Sequence, residues 1–233
     1  MTTFDFGDGN GPVPARQHPY GGGWVADTAY VDIAAYIGPD ARVSGDARVF
    51  DNARVYGNAR VFGNAQVFGN ARVYGNARVS DDARVYDDAY VSGDAQVFNK
   101  AQVFNNAWVY DNAKVFGYAY VFNKAKVFGY AWVSDDARVY DDAQVFGYAW
   151  VSDDAQVFNK AQVYDDAKVF GYAKVFGNAQ VYYNARVFGY AKVYNDAWVS
   201  DDACVSGDVE DDDTSEDIFI EMNGKRYKLV EVA

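Results

Sequence analysis

Few side chains in this 233-residue chain are of the kinds that make or break bonds. There is one histidine, His18, and one cysteine, Cys204, far apart in sequence. Cys204 has neither a histidine beside it nor a basic setting, so nothing local activates it as a nucleophile. Two acidic pairs, Asp135-Asp136 and Asp153-Asp154, recur eighteen residues apart. Paired carboxylates are oxygen donors for a cation such as Ca²⁺, though a solvated turn is the plainer reading. Near the start, Asp5, Asp8 and Asn10 also offer oxygens, but their spacing departs from an EF-hand loop and no bidentate acid follows. The glycines are single residues and form no phosphate-binding loop. No cofactor site is expected. The abundant chemistry is aromatic: 16 Phe, 20 Tyr and 5 Trp. Such rings stack on one another, on a partner, or on a sugar or nucleobase.

What positions them is a repeat. From Val25 to Val205 an aliphatic residue falls on every sixth position, thirty-one times, always Val except Ile37. Two residues before each stands Ala, from Ala29 to Ala203, with Gly23 at the head of the column. The unit is Ala-x-Val-x followed by a pair such as Gly63-Asn64, Asp81-Asp82 or Asn105-Asn106. Inward residues two apart with a polar or large one between them are the alternation of a half-buried strand. Ala and Val point in, the following Phe or Tyr points out, and the Gly/Asp/Asn pair makes a corner that tolerates positive φ. A helix does not fit a period of six enriched in β-branched and aromatic residues.

The unit resembles the hexapeptide repeat, aliphatic-x-x-x-small-x, of left-handed parallel β-helices, over about four fifths of the chain. The resemblance implies an all-β, three-sided solenoid with three hexads to the coil and about ten coils. The left hand is likewise implied by the resemblance, since ordinary crossover rules favour the right. A right-handed β-helix is the weaker alternative, because its coils resemble longer and less regular segments. Residues 5–14 and 22–29 look like the corresponding stretches of short hexapeptide-repeat proteins of phages and bacteria. Most enzymes resembling this fold are acyl or nucleotidyl transferases, with a catalytic histidine and loops that interrupt the coils, or γ-type carbonic anhydrases with three metal-binding histidines. Here no insertion breaks the repeat and the one histidine lies outside it, so no enzyme is expected, and a hexapeptide-repeat transferase using His18 is the last of the alternatives.

With eighteen residues per coil, the outward positions sort into three sides. The side of Val49 carries an unbroken aromatic column, Phe50, Phe68, Tyr86, Phe104, Phe122, Tyr140, Phe158, Phe176 and Tyr194. The side of Val55 carries Tyr56, Tyr74, Tyr110, Phe128, Phe146, Tyr164 and Tyr182, broken by Ser92 and Ser200. The third side mixes Phe62, Phe98, Phe116, Phe170 and Phe188 with serines at 44, 80, 134, 152 and 206. A large ring often stands two residues before the serine, as in Trp132/Ser134 and Trp150/Ser152. On the same geometry Asp135 and Asp153 share one corner, about 4.8 Å apart. So much outward apolar surface suggests an interface. The expectation is a structural or interaction protein that self-associates as a dimer or trimer through the column from Phe50 to Tyr194. The rival is a module that stacks glycans or nucleobases on aromatic and arginine rows. Flat threonine rows of the ice-binding kind are missing.

The ends read differently. Residues 1–23 are a cap or loop, 24–208 the solenoid, 209–217 an acidic linker, and 218–233 a hairpin turning at Asn223-Gly224. The hairpin docks on the last coil, on a sister chain or on a larger assembly, because two strands alone are marginal. Net charge is −12, yet residues 24–206 hold 17 basic and 22 acidic residues while 207–233 hold 3 and 9. That balance favours neither duplex nucleic acid nor an anionic membrane as partner. No apolar run is long enough for a membrane span and no signal peptide is visible, so a cytoplasmic or virion-associated protein is expected.

Overall fold

The computed structural model describes residues 2–207 and the backbone of the strands Ile218–Met222 and Lys225–Leu229. The linker 209–217 and the Asn223-Gly224 turn lie outside the described residues. Each hexad contributes one strand, most of them two residues long, such as Gln66–Val67 and Gln102–Val103, and no helix occurs among the described residues. Strands eighteen residues apart pair in parallel, Val67 with Val85 and Val85 with Val103. Three sheets result, one of fifteen strands and two of ten. The first wall carries Val43, Val61 and their successors, the second Val49 and Val67, and the third Val55 and Val73. The chain is thus a β-solenoid of about ten turns, as its spacing predicts.

Inside, Ala35 to Ala191 and Ile37 to Val187 are fully excluded from solvent at every sixth position. Each buried Val contributes about 1.5–3 kcal/mol. The alanines follow the corners and are buried in the same core as the valines. Every sixth residue from Gly45 to Asp201 makes a corner with φ between 55° and 73°, in the left-handed region. All are Gly, Asp or Asn except Tyr183. These are the residues whose missing Cβ or short polar side chain lowers the cost of that conformation. The Ala after each corner often closes it by donating its N–H to the aromatic carbonyl three residues back, as Ala107 does to Phe104 (3.3 Å).

Both ends extend the first wall. The first 23 residues, expected as cap or loop, contain a hairpin: Thr3–Asp5 pairs antiparallel with Pro12–Gln17, which pairs antiparallel with Trp24–Ala26. Pro12 and Pro14 fit because that half of their strand is paired on one side only, Trp24–Ala26 lying opposite Ala15–Gln17, and the Pro14 carbonyl still accepts from the Asp27 N–H (3.0 Å). Phe6, Ala15 and Ala26 form a small second core with Phe4, Val13 and Trp24. At the other end Ile218–Met222 pairs antiparallel with Cys204–Gly207 and with Lys225–Leu229, setting Ile220 opposite Tyr227 and Glu221 opposite Arg226. The hairpin therefore docks on the last coil of its own chain.

Candidate interaction surface

On the second wall the ring column forms one continuous stack. Phe50 lies on Phe68 at 4.8 Å between ring centres, and Phe68, Tyr86 and Phe104 follow at 4.9 Å, tilted by only 2–3°. Phe104, Phe122, Tyr140, Phe158 and Phe176 continue at 4.9–5.0 Å, and Tyr194 closes the row at 5.3 Å. The strand spacing sets the ring spacing, because equivalent residues in successive coils are hydrogen-bonded neighbours. Each stacked pair is worth about 0.5–1.5 kcal/mol beyond the area it buries.

Stacking also decides what the column offers to a partner. From Phe50 to Phe176 every ring is half-buried, and only Tyr194 is more open. Ring faces are used up within the column and ring edges face outward. A planar ligand needs about 3.5–4.0 Å on each side, roughly 7 Å between rings, so none enters at this spacing. The neighbouring column pins the rings further: Tyr86 and Tyr140 donate their hydroxyls to Gln102 and Gln156 (3.1 and 3.4 Å). Tyr120 meets Phe104 edge-on at 6.5 Å under the Arg138 guanidinium. Burial holds the phenols of Tyr86 and Tyr140 above the usual tyrosine value, with the adjacent Asp87 and Asp141 adding to the effect.

The third wall repeats the device from Tyr110 through Phe128, Phe146 and Tyr164 to Tyr182 (4.8–5.1 Å). The first wall holds only isolated stacked pairs, Phe98 on Phe116 (4.9 Å) and Phe170 on Phe188 (5.1 Å). Its serines, read from alternation as outward residues, include Ser44, Ser80 and Ser134, which are buried. At Ser134 the reason is visible: the indole N–H of Trp150 donates to its Oγ (3.2 Å), and Ser134 donates in turn to Asp135 Oδ2 (2.8 Å). A tryptophan thus lies over the serine of the preceding coil. Here a large residue of one coil fills the space left by a small one of the coil before; Trp132, by contrast, meets Phe116.

The acidic candidates sit on a corner, where Asp135 and Asp153 adopt φ of 57° and 56°. Asp153 Oδ2 accepts from the Gly171 N–H one coil on (2.9 Å), as Asp51, Asp81 and Asp111 do at other corners. Asp136 and Asp154 are exposed. Among the described residues no group of three or more His, Cys, Asp or Glu side chains could hold a metal. Corner amides form their own ladder: Asn105 donates to Asn123 (3.1 Å) and Asn123 to Asp141 (2.9 Å). Near the start, Asp5 and Asp8 accept from the Gly7 and Asn10 N–H groups, and the Asn10 bond lowers the Asp8 pKa. His18 is buried in a turn, with Nδ1 3.3 Å from the Tyr20 nitrogen. Cys204 stands partly exposed in Cys204–Gly207, the last parallel strand of the first wall.

Sequence reasoning placed Trp132 and Trp150 on the outside but did not join them to the corner tyrosines. Trp132, Trp150, Tyr130 and Tyr148 are each more than a third exposed and line a groove of about 600 Å³ between the first wall and its corner. The signal available was the run of Gly-Tyr corners, Gly129-Tyr130 and Gly147-Tyr148, one coil apart.

Three parallel sheets built from one six-residue unit make this chain a β-solenoid repeat protein. Residues 41–55, 53–69 and 65–81 match a family model described as the YdcK beta solenoid repeat. Among solved structures the chain is similar to LpxA from Acinetobacter baumannii, at 12% identity and a TM-score of 0.40, over 78% of this chain and 72% of that one. It is also similar to the UDP-N-acetylglucosamine acyltransferase of Francisella novicida, at 12% identity and a TM-score of 0.31, over 76% of this chain and 66% of that one. No match is found among curated proteins. No helix among the described residues is long and apolar enough to cross a membrane.

Proposed function

We propose that the protein is a non-enzymatic structural and interaction rod, wound left-handed, whose second wall packs against the second wall of another copy to give a dimer or trimer. The observation that carries this reading is the nine-ring stack from Phe50 to Tyr194, which presents a row of ring edges at a pitch of 4.8–5.3 Å. A second copy laid alongside offers the same edges at the same pitch, so contacts recur at every coil. Apolar rows of this extent usually mark an interface. Stacking of sugars or bases on this wall is disfavoured, because its ring faces are already occupied by each other.

The test is the mass in solution, by light scattering or sedimentation, over a range of concentrations. Wild type should reach two or three times the chain mass, and a Phe104→Ser/Phe122→Ser variant should remain one chain. A wild type that is a monomer throughout, or a double variant that assembles like wild type, overturns the reading.

A further inference from the structure

The groove beside Trp132 and Trp150 differs in kind from the stacked columns. Trp132 stands edge-on to Phe116 (6.0 Å, 77°), whereas Trp150 is tied by its indole N–H to buried Ser134. Supported differently, the two indoles cross at 65° with centres 5.8 Å apart and do not stack. The far side of the groove is the corner pair Tyr130 and Tyr148, stacked at 5.0 Å and half or more exposed. Lys114 Nζ lies over the Trp132 ring (4.7 Å) and Lys168 Nζ over the Trp150 ring (5.8 Å), so each lysine covers one indole face and must swing off it to pair with an anion when a sugar takes that face. Asp94, Gln96 and Asn112 line the N-terminal end. Asp94 accepts from the Asn76 side chain (3.0 Å) and keeps its negative charge, so the lining carries two cations and one anion. Four coils separate the ends of the groove, roughly 19 Å at about 4.8 Å each. The two ammonium groups are three coils apart, roughly 14 Å along the axis.

A ligand for this groove must bring negative charge for two lysines, flat apolar faces for canted indoles, and polar groups for the amides and phenols. A nucleobase finds no parallel pair of rings with room between them. An extended acidic peptide finds no strand edge to join, since the Trp132 and Trp150 N–H groups donate to Ala149 and Ala167 of the next coil (2.9 Å each). We propose that the groove binds a short acidic oligosaccharide laid along the solenoid axis. Its sugar rings rest on Trp132 and Trp150, and its carboxylates pair with Lys114 and Lys168.

Calorimetric titration of the full chain with tetragalacturonate, and with cellotetraose as the neutral counterpart, tests the proposal. Tetragalacturonate should bind about tenfold more tightly than cellotetraose, a preference that Lys114→Gln/Lys168→Gln abolishes. Trp132→Ala/Trp150→Ala should weaken both sugars at least about tenfold. Phe104→Ser/Phe122→Ser should bind like wild type, which separates this site from self-association. The proposal fails if tetragalacturonate gives no binding, if the two sugars bind equally, if either groove variant binds like wild type, or if a polyglutamate peptide or AMP binds in place of the sugars.

Discussion

At the scale of single residues the corner decides most. Twenty-six of the twenty-seven left-handed corners from residue 45 to residue 201 are Gly, Asp or Asn, and the exception, Tyr183, holds φ at 55°. Its neighbour Tyr182 touches it at 5.1 Å and 49°, a tilted contact that does little to offset the strain. Tyr183→Asn should therefore stabilise the protein by about 1 kcal/mol, read from chemical denaturation. The reverse experiment is Gly117→Ala. A Cβ there would meet the Asp135 backbone nitrogen at 2.6 Å, and alanine lacks the carboxylate with which an aspartate corner accepts the next coil's N–H. A loss of about 1–2 kcal/mol is expected in the same measurement. Corner identity was legible in the sequence because φ is a local property. Burial of Ser134 was not, since it depends on an indole sixteen residues further on.

At the scale of the columns, stacking puts phenols where water is scarce. Burial is the leading cause that raises the pKa of Tyr56, Tyr86, Tyr110, Tyr140 and Tyr164 above 10.0. Below pH 10 these groups are neutral whether the chain is folded or unfolded, and stability does not depend on them. Above it the unfolded chain ionises first and binds fewer protons than the folded one, so stability falls as pH rises from about 10 through the raised values. Absorbance titration of the native protein should show a late-ionising group of tyrosines. Tyr86→Phe/Tyr140→Phe should flatten the loss of stability above pH 10, and an unchanged slope would refute the link to these columns. The column from Phe50 to Tyr194 was visible as spacing by eighteen. That its rings lie face to face, and so present edges, depends on side-chain rotation.

At the scale of the whole molecule, each coil touches only its neighbours, so stability accumulates along one dimension. Removing residues 99–116 takes out one coil and leaves every column in register. Such a variant should fold and melt close to wild type, followed by far-ultraviolet circular dichroism. Removing residues 99–114, two fewer, should do far more damage. Every later Val would fall on a corner that demands positive φ, which a β-branched residue resists, and the variant should lose its cooperative melt.

The amino-acid order alone determined the strand, the corner, the eighteen-residue coil and the inward columns, because each rests on a period that every unit restates. It also supplied the register of the C-terminal hairpin through its turn residues. The tertiary structure decided how neighbouring coils fit: that the hairpin joins the last coil, that the first 23 residues include strands, and that two tryptophans on unlike supports open a groove. Those outcomes turn on contacts between side chains a coil or more apart, where the same outward residue is buried or exposed according to what lies above and below it.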